Sequence, residues 1–223
     1  MIKTIVVGLM STNAYIYTDK SGGCYVIDPG GDADTITGIL TKENLPLTGV
    51  LCTHGHLDHT GAAGPVLAHF SDQDPPPFLA IHKKDSRYVG ERAEETHRRS
   101  FASLGILGTG YFQMIFNPSP EADLLLEDDM KIPGSSIEVL HTPGHTEGGV
   151  CFLNREEKIL FSGDTLFNRG IGRTDLPDGD GEKLFTSIRE KLYPLPDDLT
   201  VYPGHGPVTN LGAEKTGNPF VSN

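Results

Sequence analysis

At 223 residues the chain is long enough for one domain with a real core, and 37% hydrophobic and 22% charged residues set it apart from disordered chains and membrane proteins. A net charge of −12 argues against phosphate-backbone binding, which needs clustered Lys and Arg, but leaves room for a local basic pocket. Cys24, Cys52 and Cys151 stand singly in apolar stretches and read as free thiols of a reducing compartment, not as a disulfide framework or a thiolate zinc site.

No apolar run approaches the roughly 18 residues of a membrane-spanning helix, and the apolar part of residues 1–8 is too short for a signal peptide. A cytoplasmic protein is expected, with no nucleic-acid or membrane partner, as a monomer or homodimer. Residues 2–7, 14–18 and 24–28 read as three strands of an antiparallel meander. A helix is expected over 34–43, with Ile36, Ile39 and Leu40 on one face. Residues 49–53 form a buried strand that runs into a His-rich segment, and a helix follows from Asp58 to about Phe70. After a stop at Pro75-Pro76-Pro77 comes a strand over 78–82, then a charged, helix-prone stretch over 84–99.

From 100 to 120 the periodicity is weak. That segment reads as an excursion from the core, either a lid over the substrate, with Tyr111 and Phe112 contributing, or a dimer surface. Strands resume at 137–140, 150–153, 159–161 and 200–202. Residues 182–193 form an amphipathic helix, with Leu184, Phe185, Ile188 and Leu192 at helical spacing and Asp180 as N-cap. No linker or long repeat interrupts the chain, so residues 1–223 read as a single domain. Pro-Gly-His occurs at 143–145 and again at 203–205, each time just after a strand, as a fold of two related halves would produce.

The chemistry is concentrated in Thr53-His54-Gly55-His56-Leu57-Asp58-His59, where four metal-ligand side chains follow an apolar strand directly. Side chains alternate along an extended chain, so His54 and His56 point the same way and can hold one ion. Asp58 and His59 lie where the chain turns into a helix and can face a second ion. Gly55 lets the backbone pass close to the metal. Packing such groups together is costly unless a cation sits between them.

Three further segments supply ligands: His145 in the Gly-rich loop 141–149, Asp164 in Phe161-Ser162-Gly163-Asp164-Thr165, and His205 in Tyr202-Pro203-Gly204-His205. Imidazole nitrogen and carboxylate oxygen suit zinc in a site with room for water, and they accept iron or manganese as well. Two divalent ions, zinc first, are the expected cofactors. Of the remaining histidines, His69, His82 and His97 read as surface or satisfied core residues. His141 is either a support for His145 or a plain strand-end residue.

With these motifs the chain resembles the metallo-β-lactamase superfamily, over nearly its whole length and with a highly specific motif set. The resemblance implies an α/β fold, a four-layer αβ/βα sandwich with the metals at one edge. It implies that His54, His56 and His145 hold one metal and that Asp58, His59 and His205 hold the other, with Asp164 bridging. Within the superfamily the chain looks most like the glyoxalase II-like hydrolases, through residues 166–180 and the ending 209–220 with Glu214 and Asn218. In the β-lactamases of this fold the position of Asp164 is not aspartate and the enzymes are exported, which tells against antibiotic hydrolysis. Glyoxalase II also carries a helical C-terminal domain that helps hold glutathione. Only a short tail follows His205 in this sequence, which puts glutathione recognition in question.

The expected function is a binuclear metal-dependent hydrolase of a small-molecule thioester or ester, hydroxyacyl-glutathione or a relative, with Asp58 as the catalytic residue that orients the attacking hydroxide. Arg173, in the loop after Asp164, either binds a substrate carboxylate or pairs with Asp175. Tyr111 is a second candidate for substrate contact. The alternatives are a mononuclear iron persulfide dioxygenase, using His54, His145 and Asp164, then a phosphodiesterase, and last a non-catalytic metal-binding module.

Overall fold

The computed structural model describes residues 1–102 and 105–221. Residues 103–104, inside the expected 100–120 excursion, and residues 222–223 lie outside the described residues. The first half builds a six-stranded sheet in sequence order: β1 (Ile2–Val7), β2 (Thr12–Thr18), β3 (Cys24–Ile27), β4 (Gly49–Leu51), β5 (Phe78–His82) and β6 (Leu124–Leu126). The first three pair antiparallel, with Ile2 opposite Tyr17 and Tyr15 opposite Ile27, which is the expected meander. The others pair in parallel, so each is reached by a crossover. The crossovers carry α1 (Ala33–Lys42), α2 (Leu57–Thr60) with α3 (Ala63–His69), and α4 (Ala93–Ala102) with α5 (Gly105–Ile115).

The second half builds a five-stranded sheet from β7 (Glu138–His141), β8 (Val150–Asn154) and β9 (Ile159–Gly163), with β12 (Thr200–Pro203) and β13 (Thr209–Asn210) on the far side of β9. Between β9 and β12 lie the small hairpin β10 (Leu166–Phe167) and β11 (Gly170–Ile171), then α6 (Gly181–Ser187), which runs on through a wider turn over Ile188–Leu192. The last helix is α7 (Leu211–Gly217).

Alternation along the strands explains the layers. In β2, Tyr15 and Tyr17 face the other sheet while Ala14 and Ile16 face α1 and α3. In β9, Ile159 and Phe161 meet those tyrosines, and Leu160 turns outward to Leu184, Ile188 and Leu192. Strands buried on both faces read as continuous apolar runs. The result is helix, sheet, sheet, helix, the four-layer sandwich that the resemblance implied.

Several expected boundaries shift for identifiable reasons. The strand over 24–28 stops at Ile27 because Asp28 takes a left-handed backbone, φ 51°. The helix expected over 58–70 is two, α2 and α3. Pro65 has no N–H to offer the Gly61 carbonyl, which instead accepts from Asn117 Nδ2 at 3.0 Å. The stretch 84–99 begins as two 3₁₀ turns, Ser86–Tyr88 and Gly90–Arg92, before α4 starts. The excursion contains a regular helix, α5, whose Phe112 packs with Phe101 and Leu57. The strand β6 has only three leucines and leaves no periodicity to read.

The ligand-bearing loops leave the C-terminal ends of β4, β7, β9 and β12, so all open at one edge of the sandwich. Phe161 anchors the inter-sheet core, its ring 5.2 Å from those of Tyr15 and Tyr17 and 5.4 Å from that of Tyr202. Phe161→Ala should cost about 3–5 kcal/mol of stability, measured by urea denaturation. A loss below about 1 kcal/mol would show that the two sheets are not held together there.

Candidate metal centre

His54, His56, Asp58, His59, His145, Asp164 and His205 come together from four loops. Their ligand atoms form three overlapping groups, His54 with His56 and His145, His54 with His59 and Asp164, and Asp58 with His59 and His205, each within 4.8 Å. His145 Nε2 lies 2.9 Å from His56 Nδ1, and His59 Nε2 lies 3.3 Å from His205 Nε2. Asp164 stands between the groups, with Oδ1 3.4 Å from His59 Nε2 and Oδ2 3.6 Å from both His145 Nε2 and His205 Nε2.

Two buried atoms carry the fit to a metal. His54 Nε2 and Asp164 Oδ1 have no hydrogen-bond partner, and an unsatisfied buried polar atom is expensive unless something else binds it. Both belong to the ligand groups. Five imidazoles and two carboxylates facing one another form a donor set for two divalent ions.

The electrostatics agree. Burial and the surrounding imidazoles hold His54 and His56 well below the ordinary histidine range, so both are neutral. Burial works against the Asp58 carboxylate, but His59 and His205 beside it hold it well below the usual range and keep it ionised. Burial also works against a charged His59, but Asp58, Asp164 and Asp28 push its pKa up to about 10. A cation held there would supply that positive charge in place of the proton, since metal ligands must be deprotonated.

The supporting shell fixes which nitrogen each ring presents. Asp28 Oδ2 accepts from His59 Nδ1 at 2.9 Å and from the Thr53 hydroxyl at 2.6 Å, and Oδ1 accepts from Thr53 N at 2.7 Å. His54 Nδ1 lies 3.1 Å from the same hydroxyl, which leaves its Nε2 for the centre. His145 Nδ1 donates to the Arg173 carbonyl at 2.7 Å, leaving its Nε2 free as well. Such contacts orient a metal ligand and set its tautomer.

Asp85 is fully buried and ties two ligand loops together. It accepts from Gly55 N (2.9 Å), the Thr146 hydroxyl (2.7 Å) and Gly148 N (2.8 Å). The His205 corner is held by Asn13 Nδ2 and the Tyr15 hydroxyl, both donating to the Pro203 carbonyl. Gly55 is small for a reason other than the one expected: a Cβ there would sit 2.1 Å from the Tyr88 ring. Gly204 is the glycine that admits the centre, since a Cβ would fall 2.2 Å from Asp164 Oδ1 and 2.7 Å from His59 Cε1.

A cavity of about 400 Å³ opens over the ligands. His56, Asp58, His145, Asp164 and His205 form its floor, and Met10, Leu57, Phe101, Phe167, Ile171 and Leu176 line its walls together with His97, Ser100, Arg173 and Pro177.

A model of the metallo-β-lactamase superfamily matches residues 7–205, which takes in every ligand. The chain belongs to the metallo-β-lactamase superfamily. Among its relatives, the hydroxyacylglutathione hydrolase GloC of Haemophilus influenzae is 37% identical over 222 residues, covering 99% of this chain and 98% of that one. Among solved structures, the BLEG-1 B3 metallo-β-lactamase superposes with a TM-score of 0.85 at 36% identity, covering 100% of both chains. TTHA1623, solved in a di-iron-bound form, gives 0.81 at 32% identity and covers 98% of this chain and 100% of its own. Fold, family and donor set agree, and the chain is a metal-dependent hydrolase of this superfamily.

The other sequence candidates fall in different places. Arg173 makes the two-pronged pair with Asp175, both contacts at 2.7 Å, which is the second of its two readings, and it also lines the cavity. Tyr111 is 42% exposed on α5 and is not among the residues lining the cavity. His141 stacks on His82 with ring centroids 4.1 Å apart, and its Nε2 donates to the Glu147 carbonyl, which fits a strand-end residue. His97 is buried, bonded to the Tyr88 carbonyl, and borders the cavity. Glu214, in the resemblance-bearing ending, is buried and accepts from Arg169 N, Asn218 Nδ2 and the Thr209 hydroxyl, holding the hairpin that follows Asp164.

Sequence reasoning missed Asp28 and Asp85. A carboxylate directly after the apolar run Cys24–Ile27 was the available signal for the first; Asp85 carried none. Replacing Asp28 with Asn removes the charged acceptor behind His59 and Thr53. Metal affinity should then fall about 10–100-fold in a competitive chelator titration. Unaltered affinity would mean that the Asp28 carboxylate does not orient the ligands.

Proposed function

We propose that the chain hydrolyses a small-molecule thioester, with hydroxyacyl-glutathione or a related thioester as the substrate class, at a centre of two divalent ions, zinc first. One observation carries the reading: seven ligand groups converge around the orphaned His54 Nε2 and Asp164 Oδ1 on the floor of an open cavity. The full-length likeness to a hydroxyacylglutathione hydrolase supports the choice of thioester.

His54, His56 and His145 would hold one ion, Asp58, His59 and His205 the second, and Asp164 both. Bound there, the ions supply a water of lowered pKa and Lewis acidity toward the carbonyl. Asp58 receives a hydrogen bond from the Thr12 hydroxyl at 3.1 Å and is held ionised by His59 and His205. Its carboxylate orients the attacking water and takes up its proton. Water oxygen adds to the carbonyl carbon, the C–S bond breaks, and a carboxylate and a thiol leave. The apolar walls keep other water away from the reacting carbonyl. The imidazole and carboxylate donors also accept iron and manganese, and the di-iron form of TTHA1623 keeps iron in view.

A small-molecule substrate is supported by the site's being an open cavity of about 400 Å³. Among the described residues no helix is long and apolar enough to cross a membrane. The three cysteines are buried and free, which supports a reducing compartment such as the cytoplasm.

A second reading is β-lactam hydrolysis, favoured by the likeness to the B3 metallo-β-lactamase over the full chain. A chromogenic β-lactam assayed beside a thioester panel separates the two, and faster turnover of the β-lactam would displace the thioester.

Elemental mass spectrometry on untagged protein purified without chelator should give two ions per chain. One iron per chain, with no second ion taken up on titration and with oxygen consumed on adding glutathione persulfide, would overturn the hydrolase reading. Asp58→Ala should lower kcat at least about 100-fold while the far-UV circular dichroism spectrum stays that of the parent. Near-parental turnover would remove Asp58 from the mechanism.

A further inference from the structure

One buried imidazole borders the cavity without belonging to the metal donors. His97 stands on α4 three residues before Ser100 and four before Phe101, a spacing that brings all three to one face of the helix, and all three line the cavity. The residue is only 2% exposed, and its ring packs between those of Tyr88, with centroids 5.3 Å apart, and Phe116, 6.1 Å away. Nε2 lies 2.9 Å from the Tyr88 carbonyl, which can only accept, so Nε2 carries the proton. Burial holds the pKa of His97 down at about 4 against the pull of the Tyr88 carbonyl and of Asp58, so the ring is neutral near pH 7 and Nδ1 is a bare acceptor. No described residue pairs with Nδ1, yet it is not sealed in as His54 Nε2 is, so it opens onto the cavity. Tyr88 also packs against Gly55, and its ring centroid lies 6.2 Å from that of His56, which fixes this acceptor relative to the metal donors. Beside it, the Ser100 hydroxyl donates to the Thr96 carbonyl and the Arg173 guanidinium is engaged by Asp175, while Met10, Leu57 and Leu176 have no polar hydrogen to offer. A ligand that covers this nitrogen without bringing a donor leaves it stripped of water and unpaired, which is costly.

Within the thioester reading, on which this rests, we propose that His97 is a specificity-determining residue: its Nδ1 accepts a hydrogen bond from a hydroxyl on the carbon next to the thioester carbonyl, and so selects 2-hydroxyacyl groups over acyl groups that lack the hydroxyl. The carbonyl has to sit over the metal donors, and His97 borders the same cavity, so a hydroxyl one carbon away is the substrate donor placed to meet it. A site built to pair a substrate hydroxyl rejects the analogue without it, because the buried acceptor is then left unpaired. His97 takes no part in breaking the C–S bond.

The test uses the metal-loaded full chain with S-lactoylglutathione and S-propionylglutathione, which differ only in that hydroxyl. The parent should show kcat/KM at least about tenfold higher for the lactoyl thioester; parity, or preference for the propionyl thioester, overturns the proposal. His97→Gln keeps a donor for the Tyr88 carbonyl but puts no acceptor at the place of Nδ1, and should bring the ratio to within about threefold of parity. His97→Asn puts an oxygen where Nδ1 stands and gives up the bond to Tyr88, and should keep the preference for the lactoyl thioester. A merely structural role would slow both substrates alike, so an unmoved ratio in His97→Gln overturns the proposal, as does a preference kept by Gln and lost by Asn. If His97→Asn does not fold, the ratio in His97→Gln decides alone. Calorimetry with lactate and propionate gives an answer without turnover. Lactate should bind the parent more tightly and lose that margin in His97→Gln, and a margin absent from the parent or retained by the variant overturns the proposal. If neither thioester is hydrolysed, the thioester reading fails while the binding margin still decides whether His97 reads the hydroxyl.

Discussion

Both oxygens of the Asp28 carboxylate are committed, one to the Thr53 amide and the other to the Thr53 hydroxyl and His59 Nδ1. This residue sits where the chain leaves β3 with a left-handed backbone, and through it the end of β3, the His-rich loop and α2 become one rigid corner. The same contacts settle what the rings present. His59 gives its Nδ1 proton to Asp28 and His54 reaches Asp28 through Thr53, so each turns Nε2 to the centre. Five imidazoles and two carboxylates do not stay together on their own account. The scaffold holds them together although each loses water by burial, a cost that bound cations would offset.

Buried acids recur as the fastening device. Asp85 joins the loop of His54 and His56 to the loop of His145, which belong to different sheets. Glu214 joins α7 to the hairpin after Asp164. Each carboxylate is satisfied by two or three donors, which is what allows it to be buried. The glycines complete the arrangement, since Gly204 brings a backbone against Asp164 and His59 where any side chain would collide.

The centre and the walls above it divide the work. In the proposed reading the donor set determines what kind of bond can be attacked, and its side chains stand after strand ends or on the short helix α2, elements that hold them in place. The walls come from the loop before β2, from α2 and α4 and from the hairpin and loop after Asp164, segments outside the two sheets. Substrate choice is therefore free to differ between relatives of one fold. That fits a family in which full-length likenesses carry both a hydroxyacylglutathione hydrolase and a B3 metallo-β-lactamase.

The convergence of the candidate donors was legible because its signals are local. His54, His56, Asp58 and His59 fall within six residues after a strand, and Asp164 and His205 each follow a strand end. The alternation of Tyr15, Ile16 and Tyr17, like that of Ile159, Leu160 and Phe161, likewise marks two-faced burial in the sequence itself. The break between α2 and α3, the three-leucine strand β6 and the helix in the 100–120 segment were not legible, because each depends on a distant partner: Asn117 for the Gly61 carbonyl, β5 for β6, Leu57 for Phe112. Asp85 and Arg173 make the same point for the site. The sequence by itself determined the donor types and their order, since metal chemistry restricts those to a few residues. Only the tertiary structure decided which carboxylates support ligands, which arginine is already paired and how apolar the walls are, because burial and pairing are set by residues far apart in the chain.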